Sequence, residues 1–352
     1  METKIVIMSQ IMNKDAIMKE AGQVIRSGGL VAFPTETVYG LGGDAWNPIS
    51  AGKIYEAKGR PSDNPLIVHI ADLNSLTEIV EKVNRKAEQL IQAFWPGPLT
   101  IIFQKNHLMP VEVTGGLDTI AVRMPEHELA RAFIKEAGGF IAAPSANKSG
   151  RPSPTLAKYV VEDLAGKIDM ILDGGMVGIG LESTIVDVTN DIPEILRPGS
   201  ITKRMLEEVI GEVVYDPTIL SMQEEGVPKA PGMKYKHYAP RGELTIIQGP
   251  PNLVSRRINE LSDVLLKCGE RVGIIATDET VQEYRATIIK SVGSRQDEDS
   301  IARRLYQILR EFDNEKISYI YSESFESDRI GQAIMNRLLK AAAYQIENVE
   351  RE

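Results

Sequence analysis

The chain has one cysteine, Cys268, among 352 residues. An internal disulfide is therefore excluded, and so is a zinc site built from cysteines. Its helical neighbours Val264 and Leu265 predict a buried or half-buried thiol. The four histidines, His69, His107, His127 and His237, fall at no metal-ligand spacing. No apolar run reaches the ~18 residues that cross a bilayer. The opening stretch Met1-Glu2-Thr3-Lys4-Ile5-Val6-Ile7-Met8 has too short an apolar run to read as a signal peptide, and a cytoplasmic protein is expected. Basic excess is missing too. The formal net charge is −9, so a polyanion must be met by a local cluster of cations, not by bulk charge. No Walker A string, G-x-x-x-x-G-K-[ST], occurs. Gly40-Leu41-Gly42-Gly43-Asp44-Ala45 fits the looser G-x-G-x-x-A, but it lies several residues past a strand, and the next helix is expected only near Ser50. These glycines are read as a tight loop beside a ligand, not as a dinucleotide fingerprint.

What is present is an ordinary globular composition, 43% apolar and 25% charged, in a chain long enough for two cores. The pattern predicts an α/β protein. Strands are expected at Leu30–Phe33, Leu66–Ile70, Leu99–Phe103, Thr119–Val122, Phe140–Ala143, Met170–Leu172, Thr184–Val188 and Ile195-Leu196, with a long helix from Leu76 to Trp95. Residues 215–241 are rich in Pro and Gly and read as a linker. Beyond them, strand and helix alternate four times, ending in a helix over Ile330–Ile346, which predicts a small doubly wound parallel sheet.

The chemistry concentrates in loops. Lys58-Gly59-Arg60-Pro61-Ser62-Asp63-Asn64 sets two cations two residues apart. Such an arrangement suits a triphosphate, for which Lys offers a point charge and Arg a planar fork, although a solvated helix end reads equally well. Pro34-Thr35-Glu36-Thr37-Val38-Tyr39 follows a buried strand and offers hydroxyls. Ala143-Pro144-Ser145-Ala146-Asn147-Lys148-Ser149-Gly150-Arg151-Pro152-Ser153 follows another and is dense in donors for phosphates and a ribose. Arg123 closes a strand, on the same face as Thr119, and suits a substrate carboxylate or a structural ion pair. Glu182-Ser183-Thr184 and Arg197-Pro198-Gly199 add a hydroxyl and a cation. Residues 230–241 hold Lys234, Lys236, His237, Tyr238 and Arg241 with no acid, and read as a lid over a nucleotide.

Taken in order, Lys58-Gly59-Arg60, Ser145-Ala146-Asn147 and Pro231-Gly232…His237-Tyr238-Ala239-Pro240 resemble the threonylcarbamoyl-AMP synthase family in its long form. The resemblance implies a YrdC-like catalytic domain over 13–200 with a twisted mixed sheet, a helix and linker over 201–241, and a Rossmann-like domain over 242–352. It implies an enzyme joining L-threonine, bicarbonate and ATP into threonylcarbamoyl-AMP, for modification of the adenosine beside the anticodon in tRNAs reading ANN codons. Lys58, Arg60, Ser145 and Asn147 are the implied catalytic tetrad. ATP is expected at these four and at Ser62, Asn64, Thr119, Ser153, Arg197, His237 and Tyr238. L-Threonine is expected at Thr35, His69, Arg123, Ser183 and the backbone of Ala143. Mg²⁺ is expected to ride on the ATP phosphates with no protein cage, and the product to pass to a tRNA threonylcarbamoyl-transferase machinery. The alternatives are a carbamoyl-adenylate-forming enzyme, whose cysteine-rich zinc fingers are missing here, and an RNA-binding module, which the charge of −9 disfavours.

Overall fold

The computed structural model describes residues 2–219, 228–231, 237–325 and 329–350. It divides into two compact units, one of Met1–Ser149 with Ser153–Tyr235, the other of Gly150–Pro152 with Lys236–Glu352.

The first unit is built on strands β1 (Lys4–Ile7), β2 (Val31–Phe33), β3 (Gly40–Asp44), β4 (Ile67–Ile70), β5 (Leu99–Gln104), β6 (Thr119–Arg123), β7 (Phe140–Ala143), β8 (Met170–Asp173), β9 (Thr184–Asp187), β10 (Glu194–Arg197) and β11 (Val214–Tyr215). They form one mixed sheet in the order β1-β8-β2-β3-β7-β4-β6-β5-β9-β10-β11. Alternation sends side chains to two cores. Val31 and Phe33 join Ile141 and Ala143 beneath helices α1 (Lys14–Arg26) and, later in the chain, Glu128–Glu136. Ala32, Val68 and Ala142 face the other side, against the helix α2 (Pro48–Lys58). The expected start at residue 13 falls inside this unit, because β1 pairs in parallel with β8.

Three expectations are corrected here. The glycine run at 40–43 is not a loop but strand β3, antiparallel to β2 and β7. A Cβ at Gly42 would lie 2.7 Å from the Ile141 side chain, and one at Gly43 3.0 Å from Ile54. The missing side chains let a strand pass where any other residue collides. The helix expected over Leu76–Trp95 is two, α3 (Leu76–Ile79) and α4 (Arg85–Phe94). Val80 leaves the first to bridge Lys105, and the Asn84 side chain caps the second, accepting from the Ala87 N–H at 2.9 Å. Likewise α2 starts at Pro48, capped by Asn47, and not near Ser50, which is buried within it.

The second unit holds five strands, β12 (Glu243–Gln248), β13 (Val272–Ala276), β14 (Ile288–Ser291), β15 (Tyr319–Glu323) and β16 (Ile346–Asn348), all parallel in the order β14-β13-β15-β12-β16. Two of the first unit's helices, α5 (Glu128–Glu136) and α6 (Ala157–Leu164), are followed by α7 (Lys203–Ile210), and the second unit adds α8 (Pro251–Lys267), α9 (Glu298–Asn314) and α10 (Gly331–Ala341). This is the expected doubly wound sheet, with two differences. The last helix stops at Ala341, because Ala343 and Tyr344 take positive φ (48° and 62°), and the chain then adds β16. Cys268 is exposed, not buried. It is the C-cap of α8, which ends at Lys267, one turn after Val264, itself 61% exposed.

Candidate active site

The Lys58-Gly59-Arg60 stretch is a helix end built around its glycine. Gly59 takes φ +62° and its N–H returns to Tyr55 and Glu56, closing α2. Lys58 is thereby left in the last turn, yet it is 1% exposed. It is therefore neither in a polar loop nor solvated. Its Nζ donates to the Ser145 and Asn147 carbonyls, and the Ser149 N–H returns to the Lys58 carbonyl at 2.8 Å. One buried cation so fixes the whole turn that carries Ser145 and Asn147, whose side chains meet each other, hydroxyl to amide oxygen. Arg60 folds onto the next turn. Its Nη2 donates to Asn64 Oδ1 at 2.6 Å and to the Pro65 carbonyl at 3.0 Å. Asn64 is buried, whereas Ser62 is exposed and lines a cleft with Tyr55, Asp63, Val111 and Glu112.

A second cluster forms around Arg123 at the end of β6. The guanidinium is 4% exposed. Nε donates to the Gly97 carbonyl at 3.3 Å and Nη1 to Thr37 Oγ1 at 2.9 Å. Nη2 lies 2.7 Å from Glu36 Oε1, but this is an ionic contact without hydrogen-bond alignment. Nη2 and both Glu36 carboxylate oxygens are buried without a hydrogen-bond partner. Thr35 Oγ1 shares a bond of 2.8 Å with Thr37 Oγ1 and donates to the Val38 carbonyl. His69 pairs with Arg123 in the parallel β4–β6 ladder. Burial, and then the Arg123 charge, push its imidazole down to about 3. It is neutral at ordinary pH. Its Nδ1 lies 3.1 Å from the Ile67 carbonyl, so Nδ1 carries the proton and Nε2 is left an acceptor.

A third cluster joins Ser183 to Arg197. Arg197 donates from Nε to the Ser183 carbonyl at 3.0 Å and from Nη2 to its hydroxyl at 3.1 Å, and Nη1 reaches the Pro231 carbonyl at 3.3 Å. Ser153 is buried and donates to Glu182. Thr119 is half-buried at the start of β6, opposite Gln104.

The loops do not all leave one edge of the sheet. β7 runs antiparallel to β4, which is parallel to β6. The carboxyl ends of β6 and β7, Arg123 and Ala143, therefore point to opposite edges, and the crevice rule for parallel sheets does not select the site. His237 and Tyr238 belong to the second unit, their rings 5.5 Å apart. Lys234 and Lys236 lie outside the described residues.

Two members were missed by sequence reasoning. Glu36 stands in the loop Pro34–Tyr39, and its meaning comes from Arg123, a partner remote in sequence. Thr100 is fully buried and shares a 2.8 Å bond with the Ser183 hydroxyl. Its signal is a lone hydroxyl inside the apolar strand Leu99-Thr100-Ile101-Ile102-Phe103. Among the described residues, no group of three or more His, Cys, Asp and Glu side chains could hold a metal ion, and no helix is long and apolar enough to cross a membrane.

Comparison with known proteins bears on this arrangement. The family described as "Telomere recombination" (Sua5, YciO, YrdC) matches residues 23–199, and "Threonylcarbamoyl-AMP synthase, C-terminal domain" matches residues 201–343. A threonylcarbamoyl-AMP synthase of Bacillus subtilis is 47% identical over 97% of this chain and 97% of its own length. One from Pyrococcus abyssi is 46% identical over 94% of this chain and 95% of its own. The crystal structure of P. abyssi Sua5 complexed with L-threonine superposes with a TM-score of 0.93 at 43% identity, covering 99% of this chain and 100% of that one. The chain belongs to the threonylcarbamoyl-AMP synthase family.

Proposed function

We infer that the chain is a threonylcarbamoyl-AMP synthase, converting L-threonine, bicarbonate and ATP into threonylcarbamoyl-AMP, pyrophosphate and water. The observation that carries the assignment of its amino-acid site is the Arg123–Glu36 pair. A buried guanidinium nitrogen and a buried carboxylate lie 2.7 Å apart without aligned hydrogen bonds. An amino-acid zwitterion supplies what each lacks, a carboxylate for Arg123 and an ammonium for Glu36. The neutral His69 offers Nε2 to a side-chain hydroxyl. Threonine has all three groups. Thr35, Ser183 and the Ala143 backbone are read as completing this subsite; β4 is short enough that Ala143, paired with Ile67, lies only two ladder positions from Arg123, paired with His69.

ATP is read at the other set: Lys58, Arg60, Asn64, Ser145, Asn147, Ser153, Thr119 and Arg197. Lys58 acts there through the backbone it holds, Ser145 and Asn147 through their side chains. Ser62 is the least supported member, since it faces a cleft of different residues. His237 and Tyr238 are read as the fixed end of the 230–241 segment, which covers bound nucleotide.

The chemistry suits these groups. The threonine ammonium gives up a proton to solvent, and the free amine and bicarbonate combine to a carbamate with loss of water. A carbamate oxygen then attacks the α-phosphorus, and pyrophosphate leaves. Nucleophile and electrophile are both anions, so fixed cations and donors must hold them in line. No protein nucleophile is needed. Mg²⁺ is read as arriving on the triphosphate, where water and phosphate complete its shell. Delivery of the product to a tRNA-modifying transferase is part of the same proposal. Pyrophosphate release that requires ATP, L-threonine and bicarbonate together, each omitted in turn, is the expected result. Release unchanged without threonine would sink the reading.

A further inference from the structure

The second unit contains a three-residue island of the catalytic loop, Gly150–Pro152. What holds it there is one face of α9. Tyr306, Arg310 and Asp313 stand at i, i+4 and i+7, a single stripe of that helix. All three are buried, at 0%, 0% and 4% exposure, although two carry a formal charge. Arg310 donates from Nε (3.0 Å) and Nη2 (2.6 Å) to the carbonyl of Pro152. Asp313 takes the Arg151 Nη2 at 3.2 Å on one oxygen and the Arg241 N–H at 2.6 Å on the other. The ring of Tyr306 stacks on Tyr238, with centroids 5.3 Å apart and planes at 28°. The Arg337 guanidinium, from α10, lies 5.6 Å from the same Tyr238 ring. Tyr238 itself takes φ +63°, a left-handed conformation that an L residue adopts when its surroundings impose it. The two held segments also join each other, the Ala239 N–H donating to the Gly150 carbonyl at 2.8 Å.

A buried guanidinium is costly, and an apolar side chain of similar length packs as well. Here it is committed to the backbone of a loop. We propose that the Tyr306–Arg310–Asp313 stripe of α9 is a clamp that fixes residues 150–152 and 238–241 in one register, and with them the end of the nucleotide loop. The proposal rests on the reading of 145–153 as nucleotide-binding. Lys58 fixes the loop at Ser145 and Asn147, and the clamp fixes it at Arg151 and Pro152, just before Ser153. Arg310 and Asp313 are positioning residues. They act on ATP through the loop and leave the threonine subsite alone.

The test uses the full chain. Arg310→Met and Asp313→Asn are compared with Ser145→Ala and Asn147→Ala. The readouts are KM for ATP and for L-threonine from pyrophosphate release, Tm, and deuterium uptake by the peptide covering 149–153. Both clamp variants are expected to raise KM for ATP by ~10-fold or more, with KM for threonine within ~2-fold, and to raise uptake at 149–153. A purely structural role would lower Tm and leave that KM split and the local uptake unchanged, and this overturns the clamp. Should Arg310→Met fail to fold, Asp313→Asn decides by the same two readouts. If Ser145→Ala and Asn147→Ala leave KM for ATP untouched, the nucleotide reading of the loop fails by itself, and uptake at 149–153 alone decides the clamp.

Discussion

At the scale of single residues, Arg123 and Glu36 separate recognition from chemistry. Arg123→Ala removes a charge-assisted contact worth ~1.5–3 kcal/mol, so KM for threonine should rise by ~10- to 100-fold while KM for ATP stays put. Glu36→Gln keeps the shape and removes the charge. It should raise KM for threonine by about 10-fold, and it should also blunt the preference of threonine over its 2-hydroxy analogue, which has no ammonium. Equal changes in both KM values would make the pair structural. Lys58→Ala is expected to cost ~100-fold in turnover, because the turn that presents Ser145 and Asn147 loses its anchor and the reacting groups lose their alignment. It should also cost stability, since two carbonyls lose a buried donor. Arg60→Ala, half-exposed, should keep the wild-type Tm. His69 adds a pH dependence. Its folded value of about 3 lies below the ordinary 6.5, so the unfolded chain binds the proton more tightly. The stability from this group is complete above about pH 6.5, and falls by at most ~1.4 kcal/mol per pH unit as pH drops toward 3. Urea unfolding of the wild type and His69→Gln between about pH 7.5 and pH 5 should show the shallower slope in the variant, and parallel slopes would refute a buried neutral imidazole.

At the scale of elements, the second unit's strands β12 to β15 and helices α8 and α9 were legible because each apolar run is short and bounded. The same holds for β2, β4, β5 and β7, whose residues face buried clusters on both sides. The elements that were not legible depend on contacts remote in sequence. β3 reads as a loop until Ile141 and Ile54 show why Gly42 and Gly43 carry no side chain. The break after Ile79 is invisible until Val80 finds Lys105. The site follows the same rule. Loops with dense donors announced Ser145, Asn147 and Arg60, whereas the ion contact of Glu36 and the Thr100–Ser183 bond are tertiary facts. Two glycine substitutions test this contrast. Gly42→Ala forces a Cβ to 2.7 Å from the branched Ile141 side chain, in a buried position, and should cost ~1–3 kcal/mol. Gly52→Ala, on the exposed side of α2, meets nothing within 4 Å and should gain ~0.5–1 kcal/mol. Urea midpoints measure both, and a neutral Gly42→Ala would return residues 40–43 to a permissive loop.

At the scale of the whole molecule, the question is where the first unit ends. The composition of residues 215–241 suggests a linker that could be cut after Ile210. The structure moves that boundary. Val213 and Ile219 lie in the main core, and Ala230, fully buried, packs with Ile67, Ile102 and Leu196. The Pro231 carbonyl accepts from Arg197, which also holds Ser183. A fragment ending at 210 therefore loses core side chains and leaves a buried guanidinium without one of its acceptors. A fragment ending at 231 keeps all of these. The longer fragment should unfold cooperatively with a Tm at least ~5 °C above that of the shorter one, since a few buried apolar side chains are worth several kcal/mol. Threonine binding should survive in it, because Thr35, Glu36, His69, Arg123 and Ser183 all lie within the first unit. Calorimetry of both fragments with and without L-threonine makes the comparison. A Tm equal in the two fragments would mean that 211–231 contributes nothing to the core. A threonine-induced rise confined to the full chain would mean that the amino-acid subsite needs more than the first unit holds.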